Sequence, residues 1–386
     1  MASELAFVLI NYYTIAKSRT GGVIGRFMSR TGLDLAAARI FAPGMELVET
    51  YASQVENDRS ISPPVRRLLV DYIRASYAPD PTTGRKRRVL MILLEGEDAI
   101  RKVRDMAGPP TMGGGETIRD TFGDYVVDDN NNVRYFEPAV LIGSSRENTA
   151  ATLKLWSRYA VSDGGFLQTT VDNNPAEPGW QRTLVLIKPD SFRFPSAKPG
   201  NIIDLLSRSG LRIIASKVHR MSVEQAEEFY KPVRKILREK MKHAVAERAV
   251  KALTAELGIA IPESMRLLFE ENLGPLFSDE QFNQIIKFMT GSYPPACPLE
   301  DRKKDGPSKC LALVYAGVDA VGKIRSLLGA TDPSKAQLGS VRREFGLDTM
   351  VNAAHASDSV ENAEREIGII NMTEDLITPW VTRYYG

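Results

Sequence analysis

The sequence predicts an α/β (α+β) chain of two tandem ferredoxin-like βαββαβ domains with antiparallel sheets, the second enlarged by a helical insertion. Three observations point there. The halves repeat one another segment by segment. Each half reads strand, helix, strand, helical segment, strand, helix, strand, the order of a split βαβ unit, and no G-x-G-x-x-G follows the first strand to signal a Rossmann sheet. A long stretch of the second half keeps apolar residues at helical spacing.

Residues 5–40 begin LAFVLI and residues 182–218 begin RTLVLI. Each continues through a Gly-containing loop and an amphipathic helix, closing on M-S-R-T-G or L-S-R-S-G, to a second apolar strand. Gly32 and Gly210 suit the left-handed position just past a helix. The second halves match as well: VLMILLEGEDAIRKVRDMAG at 89–108 parallels LALVYAGVDAVGKIRSLLG at 311–329, and TIRDTFG at 117–123 parallels SVRREFG at 340–346. This is a tandem duplication. The expected division is a first domain over 1–161, a Gly/Asn/Pro-rich linker over 162–180 that breaks helix and strand, and a second domain over 181–386. The insertion falls at about 231–280, where Leu237, Met241, Ala244, Val245, Ala249, Ala252 and Leu253 keep helical spacing. A second apolar segment, Met265 to Phe269, is expected to complete a helical hairpin with one packed face.

A chain of 386 residues has room for two or three cores. Its net charge of +2 demands neither nucleic acid nor an anionic membrane as partner, and none is expected. The basic clusters at 85–88 and 302–304 sit among Pro and Gly and read as solvated loop charge. Cys297 and Cys310 are too few for a disulfide framework or a zinc site, which fits a reduced, cytoplasmic protein. The N-terminal MASELAFVLI lacks a basic n-region, and its apolar run is too short for a signal peptide.

Only three histidines occur. One of them, His355, lies in MVNAAHASDSVENAERE, where a short strand over 351–354 is expected to end at the histidine. Asp358 with Glu361 fits a capping box opening a helix through Ile370. Such a corner gathers backbone N–H groups that attract phosphate oxygens. Glu366, two turns on, can reach back to fix the imidazole tautomer.

The spacing Asn352, His355, Ser357, Asp358 resembles the N-x-x-H-G-S-D signature of nucleoside diphosphate kinases, and S-V-E-N-A-E-R-E-I resembles that family's next helix. Other motifs follow in the family's order: Lys188 in L-I-K-P-D, Tyr230 in E-E-F-Y, Arg325 and Thr331 across I-R-S-L-L-G-A-T-D-P, and Arg342 in G-S-V-R. The resemblance implies a phosphoryl-carrying His355, with Lys188, Tyr230 and Glu366 also catalytic and Ser357 supporting. It implies that Lys188, Arg325, Thr331 and Arg342 hold phosphates and that Asn352 holds the ribose side. Arginine forks suit phosphate oxygens on physical grounds alone. Pro189 turns the chain out of the strand and leaves the Lys188 ammonium at the sheet edge.

The sequence departs from the family at Val351 (arginine in the family), at Ala356 (glycine), and where Gln281 beside Phe282 occupies the base-stacking phenylalanine's place. Repeat one lacks the chemistry: Asn11 stands at the place of Lys188 and Leu141 at that of His355. Arg104 and Arg119 remain at the places of Arg325 and Arg342; weak nucleotide binding and structural ion pairing are the roles open to them, the second favoured.

The function implied is transfer of a γ-phosphoryl from a nucleoside triphosphate to a nucleoside diphosphate through phosphohistidine. Mg²⁺ travels with the nucleotide, because no carboxylate cluster suggests a dedicated metal site. The competing reading is a catalytically weak nucleotide-binding scaffold or regulatory protein. The duplication lets the repeats pair within one chain, with a higher homo-oligomer open.

Overall fold

The computed structural model describes residues 3–111 and 115–386. The chain divides into two compact units, Met1–Val218 with Leu311–Gly386, and His219–Cys310. The first unit opens with β1 (Ser3–Ile10), α1 (Tyr12–Ala16), α2 (Thr20–Thr31), β2 (Asp34–Phe41), α3 (Met45–Glu56), α4 (Pro63–Tyr77) and β3 (Val89–Glu97). It continues through α5 (Ala99–Ala107), α6 (Ile118–Phe122), the ribbon β4 (Asp124–Val127) and β5 (Val133–Glu137), then β6 (Val140–Ile142) and α7 (Arg146–Arg158). After the linker come β7 (Trp180–Ile187), α8 (Lys198–Ser207) and β8 (Arg212–His219). The second unit holds α9 (Val223–Leu257), α10 (Glu263–Leu268) and α11 (Gly274–Thr290). The chain then completes the first unit with β9 (Cys310–Val318), α12 (Ala320–Leu328), α13 (Val341–Phe345), β10 (Ala354–Ala356), α14 (Val360–Ile370) and α15 (Ile377–Tyr385).

The strand orders are β2-β3-β1-β6 and β8-β9-β7-β10, so the second sheet repeats the first strand for strand. β3 pairs antiparallel with β1 and β2, β1 with β6, and β7 with β9 and β10. Both sheets are the antiparallel ferredoxin-like type that the sequence predicts. The register carries the repeat to single residues: Leu9 faces Leu141 across β1 and β6, and Leu186 faces His355 across β7 and β10.

Side chains alternate across each strand. Ala6, Val8 and Ile10 of β1 enter the same core as Val185 and Ile187 of β7, together with α2, α5 and α8. Leu5, Phe7 and Leu9 face the other way, into a core with α3, α4 and α7. Helices α2 and α8 meet at glycines. A Cβ on Gly200 would lie 2.3 Å from the Gly21 carbonyl oxygen and 2.4 Å from the Gly25 nitrogen.

The linker is stitched to both sheets, with Gly165 N–H donating to Ile40 O and Leu167 N–H to Ile214 O, each at 2.9 Å. Arg88 corrects the expectation of solvated loop charge. It is fully buried, with Nε donating to Asp172 Oδ1 at 3.1 Å and Nη1 to the Ile213 carbonyl. Burial pushes the Asp172 carboxyl up, but Arg88, then the Thr170 hydroxyl and then Arg212 outweigh it and leave the acid below its ordinary range. No disulfide joins Cys297 and Cys310. Helix α15 turns back onto repeat one: Ile377 and Val381 enter the Leu5/Phe7/Leu9 core, and the Tyr385 hydroxyl donates to the Leu5 carbonyl.

In the second unit α9 begins earlier than the expected insertion and packs on α11. The packed stripe is Leu237, Met241, Val245, Ala249 and Leu253, whereas Ala244 and Ala252, expected on it, are exposed. Met265, Leu267 and Leu268 are exposed too, so Met265 to Phe269 is not the returning arm. α10 is only six residues long and leads through a π-turn, Phe269–Leu273, into α11, whose Ser278, Phe282, Ile286 and Met289 are buried. Arg234 and Arg238 both clasp Asp279 at 2.9 Å. Among the described residues no helix is long and apolar enough to cross a membrane.

Gly200→Val should destabilise the protein by about 1–3 kcal/mol or more, because the atoms its side chain meets are backbone and cannot rotate away. Denaturant melts read the shift, and a variant as stable as the parent would refute the α2–α8 contact.

Candidate active site

His355 is the middle residue of β10, not its end as the sequence suggested. Ala354 and Ala356 both enter the shared core, so alternation turns the imidazole to the opposite face, where its side chain keeps 22% exposure. The strand starts late because Asn352 is drawn into side-chain bonding and Ala353 adopts a left-handed φ of 70°. Ala139 repeats this at φ 59°. The carbonyl so exposed accepts from Lys188 N–H at 2.9 Å, as Ala139 O accepts from Asn11 N–H at 3.1 Å. An alanine held in that region costs about 1–2 kcal/mol.

Glu366 reaches back as expected. Its buried Oε2 lies 3.0 Å from His355 Nε2 and accepts from Ser357 Oγ at 2.7 Å. With the imidazole N–H given to the carboxylate, the neutral tautomer carries its lone pair on Nδ1. Arg365 Nη2 stands 3.6 Å from Glu366 Oε1, a neighbour the sequence reading did not single out. The expected capping box is corrected: Ser359, not Asp358, is the N-cap, and its side chain accepts from Asn362 N–H. Asp358 instead takes the Asn362 side-chain amide at 2.6 Å. Three adjacent residues that all favour caps hid the choice.

The cations converge on residues 350–358. Lys188 follows β7, a central strand, so it stands at the end of the sheet and not along an edge strand. Nζ donates to Asn352 Oδ1 at 2.6 Å and to Met350 O at 3.0 Å. Burial, then the nearby Arg342 guanidinium, push the Lys188 ammonium down to about 8. Arg342 donates to Gly329 O at 3.0 Å and Ala354 O at 3.2 Å. Arg325 donates to Asp358 O at 2.9 Å and is otherwise exposed.

Asn352 is buried, and its amide donates to Thr331 O at 3.1 Å and Thr349 O at 2.9 Å while its oxygen holds Lys188. With every polar atom engaged, it positions the lysine and the Thr331 loop. Thr331 itself is exposed. Tyr230 lies in the second compact unit, buried on α9 and edge-on to Phe229 with ring centroids 4.9 Å apart. Phe282, next to the stacking phenylalanine's place, is 3% exposed in the α9–α11 core, with Arg234 over its ring. Among the described residues no group of three His, Cys, Asp or Glu is placed to hold a metal ion.

The fold and this cluster define a ferredoxin-like protein that presents a carboxylate-held histidine among cations. A family model described as nucleoside diphosphate kinase matches residues 181–268 and 277–376. A nucleoside diphosphate kinase of Helicobacter pylori (strain P12) is 33% identical over 196 residues, covering 51% of this chain and 98% of its own. One of Clostridium perfringens (strain 13 / Type A) is 32% identical over 187 residues, covering 48% and 88%. A crystal structure of the Aquifex aeolicus nucleoside diphosphate kinase shares 26% identity, covering 50% of this chain and 94% of that one, with a TM-score of 0.31. The chain belongs to the nucleoside diphosphate kinase family.

Two outcomes follow from this geometry. Glu366→Gln keeps the side chain's size but removes a charge-assisted hydrogen bond worth about 1.5–3 kcal/mol, so any reaction at His355 should slow roughly ten- to hundred-fold; an unchanged rate would remove Glu366 from the site. Below about pH 8 Lys188 is an ammonium and above it a neutral amine. Affinity for a phosphate ligand should therefore fall as pH rises through that value, and a Lys188→Met variant should lose this step in a binding titration against pH.

Proposed function

We propose that this protein is an active nucleoside diphosphate kinase working through phosphohistidine at His355. The observation that carries the proposal is the 3.0 Å contact between His355 Nε2 and Glu366, itself braced by Ser357, with three cations gathered on the same backbone segment. In the first step Nδ1 attacks the γ-phosphorus of a nucleoside triphosphate. A P–N bond forms, the bond from that phosphorus to the bridging oxygen breaks, and the diphosphate leaves with the electron pair. In the second step a terminal oxygen of another nucleoside diphosphate attacks phosphorus and the P–N bond breaks. Glu366 orients the ring and balances its growing positive charge. Lys188, Arg325 and Arg342 stabilise negative charge on the transferring group and on its leaving partner, the effect on which catalysis of phosphoryl transfer mostly rests. Thr331 contributes to the phosphate loop. Mg²⁺ accompanies the nucleotide and offsets phosphate charge.

The chain in this reading comprises a degenerate domain over 1–161, a linker over 162–180 and a catalytic domain over 181–386, acting in the cytoplasm. The repeats form a pseudo-dimer within the chain, a reading supported by the α2–α8 contact and by the core that β1 and β7 share. Pairing of such units into a larger homo-oligomer belongs to the same proposal.

A second reading, a nucleotide-binding scaffold of low turnover, draws on Phe282, which is committed to a helical core and offers no base-stacking face. One experiment separates them. Purified protein given γ-labelled ATP should become labelled in an acid-labile, base-stable form and pass the label to a diphosphate. His355→Ala should abolish both steps without lowering the melting temperature. Transfer at the wild-type rate in that variant would exclude His355 as the carrier, and an unlabelled wild type would favour the scaffold.

A further inference from the structure

Repeat one has no histidine, yet it keeps an open cleft of about 580 Å³. That volume lies within the range of small-molecule sites, roughly 300–1,000 Å³. Ile61, Val65 and Leu69, at the start of α4, form an apolar side. Arg104 and Arg119 line the cleft as well. Pro63 and Pro64 remove the first N–H donors of α4, so an anion here must be met by side chains.

The arginines are placed as in repeat two. Arg119 donates to the carbonyls of Gly108 and Val140, as Arg342 donates to those of Gly329 and Ala354. No acid holds Arg119, which corrects the expected ion pair, and its Nε, buried, has no partner among the described residues. Arg104 is exposed, with its nearest acid, Asp105, at 3.9 Å and also lining the cleft. An anion therefore competes with a weak exposed pair and not with a buried one.

The place of the terminal phosphoryl is closed. Leu141 occupies the register position of His355 and is 4% exposed in the apolar core. Asn11, where repeat two has Lys188, is fully buried and engaged at both ends, donating to Glu137 Oε1 at 3.0 Å and accepting from the Tyr77 hydroxyl at 2.7 Å. Glu137 also takes the Tyr72 hydroxyl at 2.7 Å. A leucine, a saturated amide and a carboxyl group offer a third phosphate nothing, while Arg104 stays exposed at the cleft and Arg119 lines its buried wall.

We propose that this cleft is a second, non-transferring site that binds a nucleoside diphosphate and discriminates against the triphosphate. The inference rests on the correspondence of the repeats and not on transfer at His355. The test is photolabelling of the full chain with 8-azido-ADP followed by peptide mapping. Label is expected on peptides carrying residues 60–69 or 104–110, with ADP protecting them at a concentration at least about tenfold lower than ATP. Arg104→Glu, at an exposed position, should remove that label while leaving the melting temperature and any labelling of repeat two unchanged. Absence of label from repeat one, equal protection by ADP and ATP, or label that survives Arg104→Glu would each overturn the proposal. Label on repeat one in a protein whose His355 forms no phosphoenzyme would leave it standing and remove the kinase.

Discussion

Close backbone approach between α2 and α8 is the constraint on which the first compact unit depends. Gly21 and Gly200 bring main chain against main chain at a spacing no Cβ would fit, and a Cβ on Gly25 would be tight at 3.2 Å from the Ala197 carbonyl oxygen. That contact lets Val8 and Ile10 of one sheet and Val185 and Ile187 of the other share a single apolar core. Each sheet is thereby half of the other's interior. Repeat one keeps its strands, helices and register for that reason, whatever becomes of its chemistry, because the burial that stabilises β7 and β10 is completed from across the helix contact.

The two repeats share a sheet frame and differ in the side chains at its end. The left-handed alanines, the arginine forks on equivalent carbonyls and the Ser-x-x-Asn caps at Ser145 and Ser359 recur in both repeats. At the positions that would meet phosphorus in the proposed reaction, isobutyl stands in repeat one for imidazole and amide for ammonium. Loss of a lysine charge in a buried setting normally leaves its former partner stranded. Here Glu137, Tyr72 and Tyr77 close round Asn11, so repeat one acquired a self-satisfied polar core where repeat two holds a cation.

Local pattern made much of this legible. The duplication, the strand order, the place of Leu141 against His355 and the reach of Glu366 all rest on spacing, and spacing is what a sequence displays. The misses are tertiary. Arg88 sits in a Pro/Gly-flanked basic run that reads as solvent-facing, and only the arrival of Asp172 and the Ile213 carbonyl makes its burial tolerable. Asn352 looks like a ligand-binding amide until three partners from different loops are seen to exhaust it. Ala353 carries no residue-type signal for a positive φ. The hairpin's returning arm was misplaced because apolar residues 265–269 outscore the mixed sequence of α11, whose buried Ser278 and Phe282 do the packing.

Helix α15 ties the order of synthesis to the order of folding. Ile377 and Val381 belong to the outer core of repeat one, and the Tyr384 and Tyr385 hydroxyls close on Glu95 and the Leu5 carbonyl. These residues are made long after β1, β3 and β6, so until they arrive that face of the first sheet is covered by α3, α4 and α7 alone. The core of repeat one is thus completed by chain that follows the whole of repeat two, and the apolar patch left open in the interval is the one that Ile377 and Val381 cover.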